Sequence, residues 1–458
     1  MTTRSMTTLA TASGLALGLL CTSTAQAGLL NALTGTTDIV DAEVAQATGP
    51  VTAIVHPKQI GLIDTVVSAA DVAGLDVTGV FEQIGVFGAT GTPALFEALA
   101  ATGLVSRIEY NQPLEYFLDT SNQATGGSDV LAGAVGGVSY DGSGVGVAVV
   151  DSGVDGTHPD LSGQMGGNVK LVPLTGIALP FEDTDTISAG GHGTHVAGTV
   201  AGTGAASNGL NHGAAPGATL YGISGGTAIS MHDALAGLEW VLDNHDQVSP
   251  AIRVVNNSWG SAAAAYDPNS ATSLANKALV NAGIVVVYAA GNDGGDGSVQ
   301  RTSPTCIDPT PGVICVAAYD DQGAGITNGP MADFSSRGLN GAVNTYPDIA
   351  APGANILAPC RPTLPICATG GIGSFDYFTL SGTSMAAPHI AGIVAQLLQA
   401  NPGLTPAEVE DILEDTARPI TFGAAYEADP SNPTTGTSFD KGHGLVDVVA
   451  AVTEALNR

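Results

Sequence analysis

Three side chains in this sequence, each within two residues of a glycine, are of the types that together turn a serine into a nucleophile. A serine hydroxyl attacks weakly at neutral pH unless a base stands within hydrogen-bond reach and a third group orients that base. Ser384 lies in Gly382-Thr383-Ser384-Met385-Ala386-Ala387-Pro388-His389. His192 opens His192-Gly193-Thr194-His195-Val196-Ala197-Gly198, and imidazole titrates near neutral pH, as a general base must. Asp151, in Val149-Val150-Asp151-Ser152-Gly153-Val154, could orient that base. Singly each has a plainer role, as a helix-capping serine, a packed histidine and a turn aspartate. The chemistry lies in the combination.

The elements that must position these groups are legible in the hydrophobic pattern. Short, β-branched, continuously apolar runs at 145–150, 220–223, 253–255, 284–288 and 313–317 predict strands buried on both faces. Helices are predicted over 193–201, 231–244, 270–281, 384–399 and 405–416. The last has Thr405 as N-cap, Pro406 in the first turn and Glu408 closing a capping box. The fold class is therefore α/β, a doubly wound and mainly parallel sheet flanked by helices. In such sheets function collects beyond the carboxyl ends of strands, which is where Asp151, Asn256, Asn257 and Asn292 fall. Upstream, strand-like 51–55 and 105–110 alternate with helix-like 60–69 and 92–100, suggesting a small α+β domain. A Gly- and Ser-rich stretch, 121–144, reads as a linker, with a boundary near 118–130.

Composition narrows the function classes. Lys plus Arg number 12 against 42 Asp plus Glu, a net charge of −30, which argues against a nucleic-acid partner. Arg4 precedes an apolar run over 9–20, too short to span a bilayer, and Ala25-Gln26-Ala27 has a small-x-small cleavage pattern. Residues 1–27 are thus expected to be a secretory signal peptide, with Cys21 lost alongside it, and the mature chain to be secreted without a membrane attachment. Four cysteines remain, Cys306, Cys315, Cys360 and Cys367. An even number in an exported chain favours disulfides, for which three connectivities are open; neighbour pairing would close two short loops.

The three motifs resemble the signatures of the subtilisin-like serine proteases, in that family's order of Asp, His and Ser, and Ala290-Gly291-Asn292 resembles the fourth. The resemblance covers roughly residues 120–458. It implies that Ser384 is the nucleophile, His192 the general base and then acid, and Asp151 the group that fixes the His192 tautomer. It assigns Asn292 and the Ser384 backbone N–H to the oxyanion, and leaves His195 structural. Ser258, Trp259 and Gly260, with Ala289, Ala290 and Gly291, would line a cleft for an extended polypeptide by β-addition. The small residues there suggest a preference for large apolar residues before the scissile bond.

Val105-Ser106-Arg107-Ile108-Glu109-Tyr110-Asn111-Gln112 is similar to the tail of the inhibitory propeptide of many such enzymes. The expected organisation is a signal peptide over 1–27, a propeptide over 28–120 and a linker with the start of the mature chain over 121–144. The catalytic domain then spans 145–458. The propeptide would act as intramolecular inhibitor and be removed by self-cleavage, leaving a monomer. No cofactor is required for the chemistry. The family commonly carries structural calcium, for which Asp183 with Asp185, Asp293 with Asp296 and Asp320 with Asp321 offer oxygen ligands without defining a site. The competing readings are an inactive binding-only relative, a dedicated processing protease of narrow specificity, and an esterase.

Overall fold

The strand and helix periods of residues 51–110 build a four-stranded antiparallel sheet under two helices. The structure is a computed structural model. It describes residues 39–458 except 82–84, 111–117, 173–176, 186–189, 226–229, 362, 365, 368–375, 431 and 433. The expected signal peptide lies outside the described residues, as do 28–38 and 111–117 of the expected propeptide. The chain divides into two compact units, Met1–Glu115 and Tyr116–Arg458.

The first unit runs β1 (Val51–Pro57), α1 (Ile63–Ala73), β2 (Asp76–Phe81), β3 (Val86–Gly91), α2 (Pro93–Ala101) and β4 (Val105–Tyr110), in sheet order β2-β3-β1-β4. This is a split βαβ arrangement. α1 buries Ile63, Val66 and Ala70, and α2 buries Phe96, Leu99 and Ala100, at the three- and four-residue spacing of one helix face. They form one core with Val55, Phe87 and Ile108. β2 and β3 escape a propensity reading because glycines 79 and 88 face each other across them, and a Cβ on Gly88 would stand 2.7 Å from Thr78 Oγ1.

In the second unit the stretch read as a linker begins with two helices, α3 (Leu118–Thr125) and α4 (Gly127–Leu131). Its small polar residues are packed rather than solvated. Ser121, Asn122 and Thr125 are buried, and Asn122 Nδ2 donates to the His212 carbonyl at 3.0 Å. Beyond it stand β5 (Gly146–Asp151), β6 (Met165–Leu171), β7 (Ala178–Pro180), β8 (Thr219–Ser224), β9 (Ile252–Asn257), β10 (Val285–Ala289), β11 (Val313–Tyr319) and β12 (Ile349–Pro352). They form one eight-stranded sheet in the order β12-β11-β10-β9-β5-β8-β6-β7, parallel except for the edge strand β7.

The main helices are α5 (His192–Ala201), α6 (Met231–Asn244), α7 (Ala271–Asn281), α8 (Thr383–Ala400), α9 (Pro406–Thr416) and α10 (Val448–Asn457). Alternation along the strands assigns them to faces. Val147, Val149, Val285 and Val287 pack into the core holding α5, α8, α9 and α10. Ala148, Val150, Val286 and Tyr288 pack into the core of α6 and α7. α8 is apolar nearly all round, as a helix inside a protein must be. The chain order reverses at β5, which pairs with β8 on one side and β9 on the other. The carboxyl ends of β5, β9 and β10 therefore open on a crevice at the switch point.

Candidate active site

Asp151 closes β5 and is fully enclosed by protein, its side chain 0 % exposed. Its Oδ1 accepts from the Ser152 N–H at 2.7 Å and from His192 Nδ1 at 2.7 Å. Its Oδ2 is buried without a partner, so both of these hydrogen bonds fall on Oδ1. His192 is the first residue of α5, and 23 % of its side chain reaches solvent. With Nδ1–H held by Asp151, Nε2 carries the lone pair a base needs. Burial lowers the proton affinity of this imidazole, but the Asp151 charge, the Asp151 hydrogen bond and the Asp185 charge outweigh it and raise the pKa above the usual value. Such close approach of α5 to the β5 loop requires glycine at 193, where a Cβ would stand 2.2 Å from the Gly153 carbonyl oxygen.

Ser384 is the second residue of α8, so its N–H is one of the helix's free donors. Asn292 is fixed across from it. Its Oδ1 accepts from the Thr383 N–H at 2.9 Å and Oγ1 at 3.0 Å, which turns the Nδ2 group toward the Ser384 side. A methyl built on Gly382 would stand 3.4 Å from Asn292 Nδ2 and 3.6 Å from Ser384 N. Two donors thus flank one small space, the arrangement that stabilises a negative oxygen. The Ser384 hydroxyl donates to the Ser258 carbonyl at 2.9 Å, and Ser258 Oγ donates back to the Ser384 carbonyl at 2.8 Å.

The Subtilase family profile matches residues 142–444, a span holding all four of these residues. The chain belongs to the subtilase family. It is 38 % identical over 349 residues to serine protease AprX of Bacillus subtilis, covering 73 % of this chain and 74 % of that protein. To subtilisin E of the same species it is 34 % identical over 350 residues, 75 % and 72 % of the two chains. Among solved structures, sphericase matches with a TM-score of 0.52 at 28 % identity, covering 67 % of this chain and 92 % of its own. The subtilase is a serine endopeptidase with a subtilisin-like fold, and subtilisins need no catalytic cofactor.

Ser258, Trp259 and Gly260 leave β9 beside Ala289, Ala290 and Gly291, which end β10. Trp259 is anchored by its indole N–H to the Val150 carbonyl at 2.9 Å and by an edge contact with Tyr288. The second segment is not open for strand addition at its centre. Ala290 donates its N–H to Val316 and accepts from Ser303, while the Gly291 N–H goes to Thr383 Oγ1. His195 is structural in the geometry, its Nε2 at 3.0 Å from the carbonyls of Ile356 and Phe378, and burial drives its pKa down to about 3.

Cys306 lies against Cys315 and Cys360 against Cys367, with Cα–Cα distances of 4.7 and 6.1 Å, which is the neighbour pairing. Five of the six aspartates considered for calcium accept hydrogen bonds from neighbouring groups, Asp183 among them from the Asp185 N–H. Asp185 takes Ser152 and Thr194, Asp296 caps Ser298, Asp320 accepts from Gln322, and Asp321 accepts from Gly323. Among the described residues, the side chains grouped closely enough to share a cation are Glu414, Asp429 and His443, and Asp348, Glu410 and Glu414. They line a cavity of about 390 Å³ that none of Asp151, His192 and Ser384 touches. Sequence reasoning missed this acidic cluster and the bonds that Asp185 makes to Ser152 and Thr194. It noticed Asn256, whose Nδ2 holds Ser258 Oγ at 2.9 Å, only as a polar residue at a strand end.

Proposed function

We propose that this subtilase is a secreted, self-processing endopeptidase, with Ser384, His192, Asp151 and Asn292 as its catalytic machinery. Residues 1–27 direct export, 28–120 assist folding and inhibit the enzyme until cleaved, the mature chain starts within 121–144, and 145–458 form the catalytic domain. Ser384 Oγ attacks the peptide carbonyl carbon as its proton passes to His192 Nε2. The carbonyl oxygen becomes an anion that accepts from Asn292 Nδ2 and the Ser384 N–H. His192 then gives the proton to the leaving nitrogen as the C–N bond breaks, leaving an ester on Ser384. Water attacks the ester, its proton passing through His192, and frees the acid and the serine. Asp151 holds the imidazole tautomer throughout and offsets the positive charge His192 gains. The Ser384 hydroxyl must first swing from the Ser258 carbonyl to hand its proton to His192 Nε2.

The observation that carries this reading is the placement of Asn292 Nδ2 and Ser384 N on either side of the Gly382 space. A large apolar residue before the scissile bond suits the small side chains of Ala289 and Ala290, and the two cysteine pairs are read as disulfides of an exported protein. A serine-directed phosphonate should label Ser384, and Ser384→Ala should accumulate a precursor still carrying 28–120. Labelling elsewhere, or normal trimming of the variant, would reject the reading. A substrate panel cut strictly after Lys or Arg would reject the specificity.

A further inference from the structure

Asp185 is the second buried carboxylate beside His192 and has no part in the scheme above. It lies in the loop before α5 and is 0 % exposed. Its Oδ1 accepts from Ser152 Oγ at 2.9 Å, and its Oδ2 accepts from the Thr194 N–H at 3.1 Å and from Thr194 Oγ1. The Gly191 N–H also donates to it. Ser152 continues the connection, since its Oγ accepts from the Gly193 N–H at 2.9 Å and its N–H holds Asp151 Oδ1 at 2.7 Å. Helix α5 starts on Gly191 without a side-chain cap of its own. Its second and third N–H groups are instead satisfied by Ser152, which also holds Asp151 through its own N–H, and by Asp185, which is bonded to the Ser152 hydroxyl. The residue on each side of His192 is thus tied to the turn that carries its partner.

We propose that Asp185 is a positioning residue for His192: it locks the first turn of α5 onto the Asp151–Ser152 turn and supplies a second negative charge that favours the imidazolium formed during turnover. This rests on the roles proposed for Asp151, His192 and Ser384. The titratable groups set around His192 are Asp151 at the end of β5, Asp185, and His195 one turn along α5 with His389 of α8 behind it. Burial pulls His195 down to about 3 and His389 to about 4, so both stay neutral where the enzyme works. Only the two acids contribute charge. Burial pushes the Asp185 carboxyl up to about 6, so it is ionised at neutral pH and loses its charge in the range where imidazole gains one.

Asp185→Asn keeps the size and an acceptor but removes the charge. The acid limb of its kcat/KM profile should move to lower pH by about 0.5–1 unit, because the imidazole holds its proton less tightly. Its kcat at the optimum should fall about 3–10-fold with KM unchanged, since the lost charge served the imidazolium of the transition state. A direct check is the ¹H–¹³C titration of the His192 ring in Ser384→Ala against Ser384→Ala/Asp185→Asn, both as unprocessed full chains. The second should titrate lower by the same amount, whether or not Asp185→Asn is active. A role limited to helix capping predicts a lower Tm with an unmoved titration and an unmoved acid limb, and that result would overturn the proposal. Turnover by Ser384→Ala close to the wild-type rate would instead overturn the serine scheme, and the Asp185 role with it.

Discussion

Replacing Asn292 tests the site most sharply, because its two amide atoms do different jobs. Oδ1 accepts both the N–H and the hydroxyl of Thr383, at 2.9 and 3.0 Å, and Thr383 is fully buried. Nδ2 faces the Gly382 space together with the Ser384 N–H. Asn292→Ala removes both functions. Losing the donor should lower kcat by about 10²–10³, or about 2.7–4 kcal/mol, a magnitude known from removing such a donor in subtilisin itself. Losing the acceptor leaves a buried N–H and hydroxyl unpaired and should cost about 1–3 kcal/mol of stability. Asn292→Asp separates the two effects. The side chain at 292 is solvent-exposed, so a carboxylate is tolerated there and still accepts from Thr383, but it has no N–H and repels the oxyanion. The Asp variant should therefore melt like the wild type yet lose at least as much kcat as the Ala variant, with KM little changed. The assay is steady-state hydrolysis of a chromogenic peptide anilide beside thermal melts of both variants. An Asp variant with wild-type kcat would show that Asn292 merely braces Thr383, and the oxyanion assignment would fall.

The acidic cluster predicts how stability depends on pH. Burial, with the neighbouring carboxylates, pushes Asp348 up to about 7, Glu414 to about 10, and Glu410 well above its usual range. The native state therefore binds more protons than the unfolded chain, and stability must fall as pH rises from about 4 through neutrality. Tm should be higher at pH 5 than at pH 8, and Glu414→Gln should flatten that slope; a Tm that rises over the same interval would contradict the raised pKa values of these acids. Ser258→Ala should lower stability by about 1–2 kcal/mol through loss of its bond to the Ser384 carbonyl, measured by urea unfolding; an unchanged midpoint would mean that water replaces it. Thiol titration in denaturant of the chain without residues 1–27 should find no free thiol until reductant is added, and four free thiols without reductant would remove the disulfides.

What was legible in the sequence follows from where each constraint lives. The strands of the central sheet stand out because burial on both faces demands unbroken apolar runs, as in Val147, Ala148, Val149 and Val150 of β5. β6 does not, because Gly166 and Gly167 interrupt it. The reason is tertiary: a Cβ on Gly166 would stand 2.7 Å from the Tyr221 ring, which lies across the neighbouring strand. Asp151, His192, Ser384 and Asn292 stand out in the sequence because few residue types could do the work proposed for them and each sits in a tight local motif. Asp185 was visible only as one of a pair of acids, since its partners Ser152 and Thr194 come from two other segments and give it no signature in its own. Glu414, Asp429 and His443 are gathered from α9 and two later loops, and no spacing announces them.

Pro388 shows the two kinds of information meeting in one motif. From sequence it is an oddity, a proline in the sixth position of a long helix, where it removes an N–H from the i→i−4 ladder. The carbonyl thereby left without a helical donor is that of residue 384, the serine itself. The donor that reaches it is Ser258 Oγ, itself held by Asn256 Nδ2. A helix defect four residues downstream of Ser384 thus becomes the point at which the strand leading to Ser258 is fastened to the helix carrying the proposed nucleophile. Alanine at 388 would restore the helical N–H and make the Ser258 hydroxyl redundant. Ser258→Ala should therefore cost less stability in a Pro388→Ala background than alone, a non-additivity that a double-mutant cycle measures directly. Strict additivity would mean that the proline and the serine hydroxyl serve the site independently.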